Sequence, residues 1–268
     1  MPDQQLDKNY LVIRKRTFGE LIDLTFRLTQ KEGRQVFFWF FCLAFPFAVL
    51  NYYLTSLITA HWEWTSSEEA WQAFSMGINL ILTLFEIPFA SSLAILYLGK
   101  RTFAPEEKPD RFEIVGSWLE VFPQLFLYLI LLYPVTLLYE CTVEIITLER
   151  TPLFSRKKER ISTFKRLRIF HRERFGEQIG FFILAVLFCV LVLPGVLICV
   201  ETGVDLLFGK ALDDVTFFPT VIFPVLLWSV YGLLLILHFL RYLDMRIERE
   251  GWDVELAFRA ERLRVKKQ

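Results

Sequence analysis

The sequence predicts an all-α polytopic membrane bundle: six membrane segments arranged as three hairpins, with amphipathic helices on one face. Composition is the first reason. Apolar residues make up 54% of the 268, 28 of them Phe, and mean hydropathy is +0.40. They lie in runs of about 20 residues, the length that spans ~30 Å of hydrocarbon. Charge distribution is the second. Formal net charge is zero, yet the 30 Lys and Arg are segregated between the runs. The third is residues 149–178, ERTPLFSRKKERISTFKRLRIFHRERFGEQ, with ten Lys/Arg between two apolar segments. A run like that is retained on the cytoplasmic side. Counting crossings from it predicts an inner (plasma) membrane protein with both termini cytoplasmic. The expected parts are a cytoplasmic N-terminal segment (1–35), a transmembrane bundle (36–240) and a cytoplasmic tail (241–268).

Residues 1–35 carry seven Lys/Arg and no signal-peptide core, so insertion is expected to start at the first internal span. Thr17 and Glu20 have capping-box spacing. Phe18, Leu21, Ile22 and Leu28 then recur at helical spacing, which predicts a short amphipathic helix. It either lies in the interface or packs on the ends of the bundle. The first span covers 36–59, with Pro46 as a kink. Residues 60–73 lack Lys and Arg and hold Trp62, Trp64 and Trp71, the pattern of an outer loop with interfacial anchors. The second span covers 74–98 and returns to the basic residues Lys100 and Arg101.

Residues 112–148 are apolar but flanked by basic loops on both sides. One crossing would leave a basic loop outside, so a hairpin broken at Pro134 is predicted. Its return arm, 135–148, reaches only about 21 Å and is short or re-entrant. The basic loop 149–178 then predicts an amphipathic helix, with Ile161, Phe164, Leu167 and Phe170 among the cations, lying on anionic headgroups. Spans at 179–200 and 217–240 follow, around an acidic outer loop at 201–216 with one lysine. In this arrangement 29 of the 30 Lys/Arg are inside.

Carboxylates at membrane depth are costly and mark functional sites. Glu86, Glu120, Glu140 and Glu144 are therefore the candidates, with Glu86 and the Glu140/Glu144 pair read as a candidate ion or proton site. Glu140 and Glu144 are one helical turn apart; the alternative places Glu144 at the interface, paired with Arg150. Glu86, beside Pro88 and the small residues Ala90, Ser91 and Ser92, fits either a packing contact or a transport path. The four cysteines have no metal or disulfide spacing. The three histidines are scattered, and no catalytic or nucleotide-binding motif occurs. Neither metal nor cofactor is expected, nor catalysis, nor nucleic-acid binding, for which no reading motif accompanies the basic patches.

Three stretches carry a resemblance. They are Arg16 to Asp23 (RTFGELID), Glu144 to Leu153 (EIITLERTPL), and the tail YLDMRIEREGWDVEL with Tyr242, Asp244, Arg246, Gly251 and Trp252. Together they resemble a family of uncharacterised bacterial polytopic inner-membrane proteins, notably of planctomycetes. More distantly the layout is similar to the membrane domain of some glycerophosphodiester phosphodiesterases. The resemblance implies inner-membrane residence and a helical bundle; it carries no activity, because no phosphodiesterase domain is present. In the tail, Gly251 suits a helix stop and Trp252 an interfacial anchor. All three motifs fall on the expected cytoplasmic face, so Tyr242, Asp244, Arg246, Gly251 and Trp252 are a candidate docking motif. The expected role is a non-enzymatic scaffold or accessory subunit of a bacterial envelope complex, with a membrane or cytoplasmic protein as partner. The alternative is a small transporter or channel using the intramembrane carboxylates.

Overall fold

A computed structural model describes residues 16–60, 68–103, 109–131, 141–154, 161–171, 175–208 and 222–250. Its elements are helices throughout: α1 (Phe18–Ala60), α2 (Glu68–Phe103), α3 (Arg111–Leu131), α4 (Thr142–Leu148), α5 (Thr163–His171), α6 (Phe175–Phe208) and α7 (Phe223–Glu250). No strand occurs among the described residues. Four of them, α1, α2, α3 and α7, are long and apolar enough to cross a membrane.

The first difference from the sequence reading is at the N-terminus. The amphipathic segment and the first span form one helix of 43 residues, about 65 Å long at 1.5 Å per residue. Burial explains the continuity. Leu21, Thr25, Leu28, Glu32, Val36, Phe40 and Ala44 are all buried, at intervals of three or four residues, so one stripe passes unbroken from the polar half into the apolar half. The segment thus packs on the protein instead of lying in the interface. The thirty-odd residues between Leu21 and Asn51 carry no helix breaker beyond Gly33 and Pro46, and a proline is tolerated where neighbouring helices cover the freed backbone.

α2 is the central helix: α1, α3, α4 and α7 all pack on it. Trp118 of α3 donates from Nε1 to Ser92 Oγ at 2.7 Å, so the small residues after Pro88 do receive a neighbouring helix. α7 lies on α1, with Trp228 and Tyr231 against Phe40 at 5.6 and 6.0 Å between ring centroids. α6 packs on α7 and extends to Phe208, eight residues beyond the span expected at 179–200.

The described part of the return arm is only the seven-residue α4, about 10 Å of helix. Residues 132–140, with Pro134 and Glu140, lie outside the described residues. α4 is bracketed by two left-handed residues, Cys141 (φ 64°) and Arg150 (φ 51°), a conformation that a Cβ atom disfavours. It is set against the basic end of α2, where Leu148 fills the space a side chain at Gly99 would need. The helix in the basic loop is present as α5. Its apolar face is turned inward: Leu167 and Phe170 are buried in the main core, so this helix packs on the bundle and not flat on a leaflet.

Gly232 of α7 makes a second close approach. A Cβ there would stand 2.5 Å from Phe37 Cε1, whereas one at Gly77 would meet nothing within 4 Å. Gly232→Ala is expected to destabilise the protein by about 1–3 kcal/mol through overpacking, lowering its thermal midpoint in detergent. Gly77→Ala should leave the midpoint unchanged or raise it, because alanine is the better helix former.

Candidate functional site

The basic end of the bundle is where separate segments are tied by polar side chains. The capping box forms as the sequence predicts: Thr17 N donates to Glu20 Oε2 at 2.9 Å and Glu20 N to Thr17 Oγ1 at 3.4 Å. One residue earlier, Arg16 N donates to Asp244 Oδ1 of α7 at 3.0 Å. The start of α1 is thereby fixed to the end of α7.

Glu149 is the centre of the cluster. It follows α4, and its side chain is 9% exposed. Arg166 of α5 donates from Nε to Glu149 Oε2 at 2.6 Å. From α7, Tyr242 donates its hydroxyl proton to Glu149 Oε1 at 3.0 Å, and Arg246 Nε stands 3.8 Å from the same oxygen. Arg246 Nη1 also donates to Tyr242 Oη at 3.2 Å. The guanidinium of Arg166 lies over the Phe170 ring at 5.0 Å, a cation–π contact that holds it in place. Thr163 joins α5 to the same stretch, its N and Oγ1 donating to Pro152 O at 2.9 and 3.2 Å. The three motifs quoted from the sequence therefore meet at one end, bonded to one another.

That bonding changes the reading of the tail. Tyr242 is 0% exposed and Asp244 1%, so these side chains face their own chain and not a docking partner. Arg246 is likewise engaged with Glu149. Gly251 and Trp252 lie outside the described residues. Beside the cluster opens a cleft of about 460 Å³ lined by Glu149, Arg150, Thr151, Pro152, Ile161 and Arg166.

Glu144 is buried in the first turn of α4 at 5% exposure. The ion pair considered for it with Arg150 is not formed. Arg150 instead reaches back to α3, donating to Glu120 Oε2 at 2.6 Å and Ser117 Oγ at 3.2 Å. Glu140 lies outside the described residues. Glu86 is 7% exposed and accepts from Asn51 Nδ2 of α1 at 2.8 Å. Reading the sequence missed two participants. Glu32, which the sequence reading did not single out, is buried and accepts from Tyr97 Oη at 2.7 Å and Arg101 Nε at 2.9 Å. The available signal was its place on the Leu28–Val36 stripe. Asn51 was passed over as one polar residue in an apolar run.

No group of three or more His, Cys, Asp or Glu able to hold a metal ion occurs among the described residues. No protein-family model, curated protein or solved structure matches the chain.

The cluster acts as a lock whose parts depend on each other. Tyr242→Phe should cost about 1–2 kcal/mol, since Glu149 loses a donor while buried. Glu149→Ala should cost more, about 3–5 kcal/mol, because Arg166 and Arg246 both lose their carboxylate. Thermal unfolding of Tyr242→Phe, Glu149→Gln and the double variant should give a coupling energy of at least about 0.5 kcal/mol; strict additivity would show that the two residues act apart.

Proposed function

We propose that the chain is a non-enzymatic membrane scaffold or accessory subunit of a bacterial envelope complex, recognised through its basic end. The observation that carries this reading is the Glu149 cluster, which holds α4, α5 and α7 in one fixed arrangement. Such a lock suits a surface that must keep its shape. Around it the chain exposes Phe154, Ile161 and Ile169, with Phe154 against Phe164 at 5.8 Å. Apolar side chains set among cations beside a cleft are the composition of a recognition patch, an apolar centre with a polar rim.

The proposed topology keeps six segments as three hairpins in the inner membrane, both termini cytoplasmic. It draws its support from the charge segregation and from the ion pairs that gather Lys100, Arg101, Arg150 and Arg166 at one end. The cations of 149–178 outside these pairs are then proposed to face anionic headgroups, each adding on the order of 1 kcal/mol near the surface. Transport is the second reading. It is favoured by the polar groups buried around Glu86, although Glu86 and Glu144 sit in packed helix contacts.

Affinity purification of the full chain from native membranes in mild detergent tests the scaffold. A stoichiometric partner is expected to copurify and to be lost from Phe154→Glu and Ile161→Glu variants whose thermal midpoints match the parent. Recovery of the chain alone, or a partner retained by both variants, would defeat the reading.

A further inference from the structure

Between α1 and α2 runs a seam of buried polar side chains far from the basic end. On α1 it holds Asn51 and Thr55, one turn apart; on α2 it holds Ser75, Asn79, Thr83 and Glu86, all buried. The spacings of four, four and three residues put the α2 members on one face of that helix. Glu86 sits at the middle of the 36-residue α2, and its bond to Asn51 closes the seam.

Two features mark this seam. Asn51 Oδ1, Ser75 Oγ and Thr83 Oγ1 are buried without a hydrogen-bond partner, although each belongs to a residue at most 3% exposed. In a bilayer no solvent can satisfy such atoms from outside, and buried polar groups are nearly always bonded. The second is charge. Every other buried carboxylate described above, apart from Glu144, has an Arg beside it, but residues 35–60 and 68–99 contain no Lys, Arg or His. An ionised carboxylate there calls for one positive charge that the side chains of the two helices do not supply.

We propose that the seam binds one small monovalent cation, of the Na⁺ class, at Glu86, with Asn51 Oδ1 and Thr83 Oγ1 as neutral oxygen donors. The donor set is all oxygen, which suits a hard cation and not a thiophilic or imidazole-seeking metal. One carboxylate balances one charge, which favours a monovalent ion over a divalent one as the resident species. Asn51 orients the carboxylate with its amide nitrogen and leaves its oxygen for the ion.

The test uses the full chain in detergent at constant ionic strength. Thermal midpoints are compared in NaCl, LiCl, KCl and choline chloride for the parent, Glu86→Gln, Thr83→Val and the control Glu120→Gln. Expected is a higher midpoint in NaCl than in choline chloride, lost in Glu86→Gln and Thr83→Val and kept in the control. Equal midpoints in all four salts would overturn the site, as would an increment that both seam variants retain. If neither seam variant folds, the parent decides through dicyclohexylcarbodiimide, which modifies a protonated carboxyl in apolar surroundings. Modification at Glu86 should fall about tenfold once Na⁺ exceeds its dissociation constant tenfold, because only the empty fraction reacts. Modification that Na⁺ leaves unchanged, or none at Glu86, would mean that the seam holds water or a proton alone.

Discussion

A carboxylate withdrawn from water must be given charge or hydrogen-bond donors, and the organisation of this chain depends on how that demand is met. Glu32 receives Arg101 and Tyr97. Glu149 receives Arg166, Arg246 and Tyr242. Asp244 receives the Arg16 amide and, at 3.7 Å, Arg241. In each case a donor comes from a distant part of the sequence, so the pairing that neutralises the acid also fixes two or more helices to each other. Removing one partner is costly because the other is left buried and unmatched. Lipid offers apolar helices little reason to prefer each other over acyl chains. Directional polar contacts of this kind are therefore well suited to choosing one arrangement of the helices.

The same demand explains why α4 and α5 stay on the bundle. A seven-residue helix cannot hold its shape through its own hydrogen bonds, since nucleation is unfavourable and the helix is too short to recover it. Tertiary contacts supply the difference: Ile145 and Ile146 are fully buried, Leu148 occupies the hollow left by Gly99, and Glu149 anchors the exit. Arg150 then takes a left-handed conformation that turns the chain toward Thr151 and Pro152, while its guanidinium bonds back to Glu120 and Ser117 on α3. Helix α5 docks through Thr163 at one end and Phe170 beside Tyr242 at the other, ring centroids 6.4 Å apart.

Much of this was legible in the sequence, and what was not has a common cause. Apolar run length and charge segregation predict an all-helical membrane protein, because both follow from local composition. The capping box of Thr17 and Glu20 is readable for the same reason, being a contact across three residues. The amphipathic pattern at 161–170 predicts a helix but not its surroundings: Leu167 and Phe170 would look alike against lipid or against α7. Glu32 stands between Lys31 and Arg34 in sequence, and only the fold brings Arg101 and Tyr97 to it. Asn51, Thr55, Ser75, Asn79 and Thr83 are individually unremarkable in apolar runs. Their alignment exists only when α1 and α2 are set side by side, and that register is a property of two helices together.

The contrast between the two ends of α2 is the more telling consequence. At the basic end, each carboxylate among Glu32, Glu113 and Glu149 lies within ion-pair distance of a Lys or Arg, and the contacts close on themselves. In the middle of the helix the inventory does not close: Glu86 accepts from the Asn51 amide, while Asn51 Oδ1 and Thr83 Oγ1 are buried without a partner. A chain that places 30 Lys and Arg yet puts none between residues 35 and 60 has no side-chain cation on α1 to meet Glu86. Rigidity at one end and an unmatched acid at the centre are compatible, because a fixed α1–α2 register is what keeps Asn51 against Glu86. The lock at the basic end and the seam in the apolar part thus belong to one structural argument, in which neutralised carboxylates set the frame and Glu86 is held in position by it.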